Sequence, residues 1–288
     1  MTSPPLVDAH HHLWDLAVRD QEWITGPALA PLRRTFTEHD LRAEAEAAGV
    51  TATVLVQTVT VAGETPEMLR VARDSDLVAG VVGWTDLTAP GVGDALAALR
   101  DGPGGRRLVG VRHQVQSEPD PEWLLRPDVL RGLRAVAGAG LAYDLVILPH
   151  QLPAAAGAAA ELPELTFVLD HGAKPPVAGG ETAPWAAGLR EFAARPNTVC
   201  KLSGLVTEAD WRTWSLRDLR PYADVLLDAF GPARLMFGSD WPVCTLAASY
   251  GRTLAVAERL TDALSRTERA AVFGGTATRA YGLDSLTG

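Results

Sequence analysis

The chain has 288 residues, 47 % of them hydrophobic, and a formal charge of −9. That balance excludes nucleic acid or an anionic membrane as the main partner and suits a soluble enzyme acting on small molecules. No apolar run approaches the roughly 20 residues of a membrane span, and Met1-Thr2-Ser3-Pro4-Pro5 does not read as a signal peptide, so the cytoplasm is the expected address.

A prior of roughly 150 residues per domain suggests two domains, but closed α/β barrels need about 250 as one unit. No linker or composition break interrupts the chain, so 1–288 reads as a single domain. The first strand candidate is Leu6–Leu13, in the run Leu6-Val7-Asp8-Ala9-His10-His11-His12-Leu13-Trp14. Thr37-Glu38-His39-Asp40 then opens a helix, with Thr37 as N-cap and Asp40 near N3, and Gly49 ends it. The second strand is Ala52–Val59, followed by a helix from Thr65-Pro66-Glu67 with proline first. The remaining strands are Leu77–Leu87, Leu108–Val115, Leu141–Leu148, Leu165–Gly172, Thr198–Leu205 and Arg234–Trp241. Helical patterns over Gly93–Arg100, Pro127–Ala139, Pro153–Ala160, Pro184–Ala194, Leu216–Phe230 and Ala247–Leu260 alternate with them, and Arg266–Phe273 packs the C-terminus.

The strands are short, apolar and lack clean alternation, as strands buried on both faces do. Eight β-then-α units predict an α/β fold, a (β/α)8 TIM barrel. An open doubly wound sheet is the runner-up, but no Gly-x-Gly-x-x-Gly follows strand one. The two cysteines, Cys200 and Cys244, fall in apolar strand-like segments and read as buried free thiols.

Chemistry in such barrels sits at the C-terminal strand ends. Those ends here carry His10 and His12, Gln57, Trp84 and Asp86, Arg112, His113 and Gln114. His150 follows strand five, Asp170 and His171 end strand six, Lys201 and Ser203 end strand seven, and Ser239, Asp240 and Trp241 end strand eight. Five of the seven histidines lie on strand ends and His150 just past one, which a random scatter would not give. His10 and His12, two apart, share a strand face and can share one divalent metal. His11 points the other way, toward the helix layer. Asp240 is suited to be a last ligand, a general base, or both. Arg112 reads as a substrate clamp. His113, Gln57, Trp84, His150 and Trp241 are candidates to line a substrate pocket, while Lys174 and Lys201 read equally as members of ion pairs.

These motifs make the chain similar to the amidohydrolase superfamily, in the branch called amidohydrolase-related family 2. The nearest likeness is to its sugar-lactone hydrolases, the L-fuconolactonase and L-rhamnonolactonase group. The matching residues are Asp8-Ala9-His10-His11-His12-Leu13-Trp14-Asp15, Gly110-Val111-Arg112-His113, Leu169-Asp170-His171, Cys200-Lys201-Leu202-Ser203-Gly204-Leu205 with Glu208, Arg234–Val243, and Leu264-Ser265. The resemblance implies hydrolysis of a cyclic ester. It implies His10, His12, His171 and Asp240 as the ligands of one divalent metal, zinc or manganese, with Asp240 as proton shuttle and His171 as a catalytic partner. A metal-free route stays open, in which the histidines donate to the carbonyl. The alternatives are a metal-dependent decarboxylase of an unsaturated or aromatic acid, a hydrolase of a specialised biosynthetic ester or amide, and, least favoured, a non-catalytic binding barrel. A homo-oligomer is left open.

Two departures from the family pattern stand out. After strand six the chain reads Asp170-His171-Gly172-Ala173-Lys174-Pro175 where the family writes Asp-His-Leu-Gly-Lys-Pro, which points to a different loop shape. Near the C-terminus Gly274-Gly275-Thr276-Ala277 replaces Gly-Gly-Asn-Ala, a change expected to touch packing rather than chemistry.

Overall fold

A computed structural model describes residues 5–283. Eight strands pair in chain order and all in parallel: β1 (Val7–His11), β2 (Ala52–Val56), β3 (Val78–Gly83), β4 (Leu108–His113), β5 (Ala142–Leu145), β6 (Phe167–Leu169), β7 (Thr198–Leu202) and β8 (Leu235–Phe237). A bridge between His11 and Trp241 brings the last strand back to the first. The (β/α)8 barrel is therefore present. The strands are shorter than their apolar runs because the final residues of each run leave the ladder to become loops at the C-terminal rim.

Helices separate the strands: α1 (Glu38–Ala47), α2 (Glu64–Asp74), α3 (Val92–Asp101), α4 (Pro127–Gly138), α5 (Leu152–Glu161), α6 (Ala183–Ala193), α7 (Leu216–Phe230) and α8 (Tyr250–Leu260). The expected cap of α1 is in place, since Asp40 N donates to Thr37 Oγ1 and Thr37 N donates to Asp40 Oδ2. Such a cap contributes about 1 kcal/mol. Helix α2 starts at Glu64, ahead of Pro66, and the Glu64 carboxylate accepts the backbone N–H groups of Thr58 and Val59. Helix α8 starts at Tyr250 rather than Ala247, because Ser249 caps it and Val243–Leu246 forms a separate tight turn.

The C-terminal segment is longer than expected. It runs through α9 (Arg266–Ala270), a π-helical turn (Ala271–Gly275) and α10 (Thr276–Tyr281). Ala277, Tyr281 and Leu283 pack with Val7, Ala9, Val54, Val56, Val82, Val109, Val168 and Met236 into a core of their own. The larger core lies between strands and helices. Thr276 Oγ1 donates to Ala233 O at 3.1 Å. No helix of the described residues is long and apolar enough to cross a membrane, and both cysteines are free and buried.

Candidate active site

The closing seam of the barrel builds the site. His12 N donates to Trp241 O at 2.7 Å, and Asp240 N donates to His10 O at 2.8 Å. Asp8 pins the same seam: its carboxylate accepts from His10 N, Ser239 N, Ser239 Oγ and the Tyr250 hydroxyl, at 3.1, 2.8, 2.6 and 3.0 Å. Burial pushes the Asp8 carboxyl up despite these donors. Pairing of β1 with β2 slips by one residue between Asp8 and His11, a bulge that re-aims the side chains beyond it. Gly238 sits where a Cβ would meet His10 Cβ at 2.7 Å, so β8 can approach the histidine only without a side chain.

Four of the expected residues converge. His10 Nε2 lies 3.1 Å from His12 Nε2. Asp240 Oδ1 is 3.4 Å from His12 Nε2, 3.7 Å from His10 Nε2 and 3.9 Å from His171 Nε2. Asp240 and His171 both hold left-handed backbone, at φ 57° and 52°, a conformation that costs a non-glycine residue about 1–2 kcal/mol. The left-handed stretch continues through Gly172, Ala173 and Lys174, which is how the altered loop after β6 is shaped. His171 Nδ1 contacts Ser203 Oγ at 2.8 Å, over Gly204, where any Cβ would come within 2.6 Å of the ring.

Burial keeps the His10 and His171 imidazoles neutral. It holds His171 down at about 4, partly offset by Asp240, and holds His10 well below its usual range with help from the Lys201 charge. Burial also raises Asp240, but His171 and His12 outweigh it, so the carboxyl sits below its ordinary value. His11 takes no part in the cluster. It contacts Thr53 Oγ1 at 3.0 Å, and burial lowers it to about 3.

Beneath the cluster lies a charged layer that the sequence does not announce. Lys201 Nζ lies 2.5 Å from Asp144 Oδ2, 2.9 Å from Asp170 Oδ1 and 3.0 Å from His10 Nδ1. Tyr281, from α10, donates its hydroxyl to Asp144 Oδ2 at 2.7 Å. Arg112 donates Nη1 to Asp170 Oδ2 at 2.8 Å and Nε to Gln57 Oε1 at 2.9 Å, and Nη2 bonds Gln57 O. Burial raises Asp144 to about 6 against the pull of Lys201; burial also acts on Asp170, but Lys201 and His10 hold it well below the usual range. Mid-strand Asp144 was the available signal, since a carboxylate inside an apolar strand requires a partner.

The remaining candidates are placed unevenly. Arg112, expected as a clamp, has its guanidinium engaged by Gln57 and Asp170 and lies 3.5 Å from His10 Nε2, so it reaches the cluster from below. Gln57 is buried and also accepts from Gln114 Nε2 at 3.1 Å. Trp84 Nε1 donates to His113 Nδ1 at 3.0 Å, His113 Nε2 meets Glu118 at 2.7 Å, and the His113 ring stacks on Trp123 at 4.4 Å. Trp241 is buried against Phe36 with ring centroids 5.3 Å apart, so it walls the seam. His150 is exposed on the turn after β5, and no hydrogen bond or ion pair ties it to the cluster. Lys174 pairs with Glu208 at 3.0 Å.

The donor set fits a divalent cation. Val56 O can only accept, so the 2.8 Å contact puts a proton on His12 Nδ1 and leaves Nε2 as a lone pair. That lone pair faces a carboxylate oxygen at 3.4 Å, an arrangement a cation between them would reconcile. The nitrogen and oxygen atoms of His10, His12 and Asp240 all lie within 4.8 Å of one another.

With this fold and site, the amidohydrolase family profile matches residues 7–283, and the chain belongs to that family. It is 41 % identical to an L-fucono-1,5-lactonase of Burkholderia multivorans, over 96 % of each chain. A second L-fucono-1,5-lactonase, from Burkholderia ambifaria, is 39 % identical over 98 % of this chain and 97 % of that one. A crystal structure of a Burkholderia multivorans amidohydrolase with bound zinc superposes with a TM-score of 0.91 at 41 % identity, covering 96 % of this chain and 99 % of that one.

Proposed function

We propose that the protein is a sugar-lactone hydrolase that opens a six-membered aldonic lactone of the L-fuconate type, with Asp240 as its proton shuttle. The carrying observation is one oxygen, Asp240 Oδ1, set 3.4–3.9 Å from three imidazole nitrogens at the rim. Likeness to two L-fucono-1,5-lactonases supports the substrate class.

Ester hydrolysis needs a base for water, charge stabilisation for the tetrahedral oxyanion, and an acid for the leaving oxygen. Asp240 is ionised at neutral pH, because His171 and His12 hold its carboxyl low against burial. It takes the water proton as attack begins and returns it to the departing ring oxygen, so one carboxylate serves both steps. The fixed charge of Arg112, 3.5 Å from His10 Nε2, favours the oxyanion from below without reorganising. His10, His12, His171 and Asp240 would hold a divalent cation, which when bound would supply a more acidic water and a polarised carbonyl. The rim group of Trp84, His113, Glu118 and Gln114 offers an aromatic edge, an amide and a carboxylate to a hydroxylated ring. The buried free cysteines support a cytoplasmic setting.

The test is a panel of aldonic 1,5- and 1,4-lactones, with acid release followed by a pH indicator. The 1,5-lactone of L-fuconate is expected to open fastest. No acceleration over buffer for any sugar lactone would end this reading.

A further inference from the structure

The ion pair of Lys174 with Glu208 stands outside every step above. We propose that these two side chains form a fork that reads two neighbouring hydroxyls of the substrate ring, and so set the selectivity for a hydroxylated lactone. The assignment rests on the lactonase reading.

The backbone places the fork. Lys174 N donates to His171 O at 2.9 Å, which sets Lys174 one turn beyond His171. Glu208 N donates to Gly204 O at 3.2 Å, and Gly204 lies against the His171 ring. The loops after β6 and β7 thus each rise one turn from the same imidazole, and Lys174 Nζ donates to Glu208 Oε1 at 3.0 Å where they meet. The Lys174 charge also reaches the reaction centre: after burial, His171 and His12, it is the next influence on the Asp240 carboxyl.

Stapling the loops does not account for the pair. Ala178 N already joins them by donating to Glu208 O at 3.0 Å. Trp185 Nε1 on Gly172 O, at 2.7 Å, and the Tyr222 hydroxyl on Pro176 O, at 3.0 Å, tie down the loop after β6. A partly exposed ion pair adds little stability. Left-handed backbone at Lys174, φ 52°, costs a non-glycine residue more than such a pair returns. Glycine would hold this turn at lower cost, so what the position keeps is the ammonium.

Both side chains have unused bonding capacity and are reachable, Lys174 being 28 % exposed and Glu208 24 %. An ammonium has three donors, and Glu208 Oε1 takes one; Glu208 Oε2 accepts no hydrogen bond among the described residues. A free N–H beside a free carboxylate oxygen matches two adjacent hydroxyls, one accepting and the other donating. Such bonds to charged groups are stronger than neutral ones. The pair has no net charge, which favours an uncharged polyol ring over an acid with a free carboxylate. The fork rises on the β6–β7 side of the rim, while Trp84, His113 and Glu118 belong to the β3–β4 side, so a ring between them is held at two edges.

The test compares kcat/KM for L-fucono-1,5-lactone and each of its monodeoxy forms, in wild type and in Lys174→Met and Glu208→Gln. In wild type, loss of either of two neighbouring hydroxyls is expected to lower kcat/KM about 30-fold. In the variants the same deletions should cost less than about threefold, because the partner is already gone. Each cost is a ratio within one protein, so partial misfolding and a purely electrostatic effect on Asp240 both cancel. Equal costs in wild type and variants overturn the fork alone. Should the variants not fold, the wild-type series decides, and the absence of a sensitive neighbouring pair overturns the fork. If wild type opens none of these lactones, the lactonase reading falls and the fork with it.

Discussion

The two halves of the barrel interior solve the same problem by different physics. The lower half, sealed by α10, is filled by valines, alanines and Met236 and is held by apolar volume. The upper half, two or three residues further along the same strands, buries Arg112, Lys201, Asp144 and Asp170, two cations against two carboxylates. Apolar packing tolerates small errors gradually. A buried charge network does not, because removing one member strands its partner in low dielectric. The difference explains how a site that needs neutral imidazoles beside an ionised Asp240 can sit on a stable scaffold.

The comparison can be broken at several points. Asp240→Asn is expected to fold normally and lose about 10³-fold or more in kcat; circular dichroism with lactone turnover checks both, and near-wild-type turnover would remove Asp240 from the chemistry. Asp144→Asn leaves Lys201 and Tyr281 short of a carboxylate and should cost about 3–5 kcal/mol in urea unfolding. A cost under about 1 kcal/mol would mean that Asp144 is protonated in the native state. Met236→Ala in the lower half should cost about 2–5 kcal/mol, with turnover per folded molecule unchanged. Loss of turnover beyond the loss of folded protein would show that the two halves are coupled.

Acid gives the mildest test. Burial holds His171 at about 4 against an ordinary 6.5, so between those values the unfolded chain carries a proton that the native chain does not. Stability therefore rises with pH across that window, and acidification through it removes roughly 3 kcal/mol from this group. Urea midpoints of stripped protein should fall accordingly, and His171→Gln should flatten that component of the slope. An unchanged slope would assign the acid sensitivity to other groups.

Much of this was legible in the chain. The eight apolar segments and their polar ends identified the barrel and brought His10, His12, His171 and Asp240 to one rim, because strand ends in a closed sheet have nowhere else to converge. What escaped was set by contacts between distant segments. The bulge in β1 depends on how β2 pairs with it, which no local pattern records. The bonds that fix Arg112 under the cluster go to Gln57 and Asp170 on other strands, so its placement could not be read locally. Tyr281 reaches Asp144 from a tail with no strand signal, so only the fold reveals it. Lys201 read only as a member of some ion pair; its partner Asp144, a carboxylate inside an apolar strand, is identified by the fold.

The seam between β1 and β8 has a kinetic meaning. These two strands are the farthest apart in the chain, so their pairing carries the largest loop-closure cost and is expected late in folding. Because Asp240 N bonds His10 O across that seam, the reaction centre does not exist until the sheet has shut. Recovered turnover during refolding should then trail the return of helical signal, making catalysis itself a clock for the final closure of the barrel.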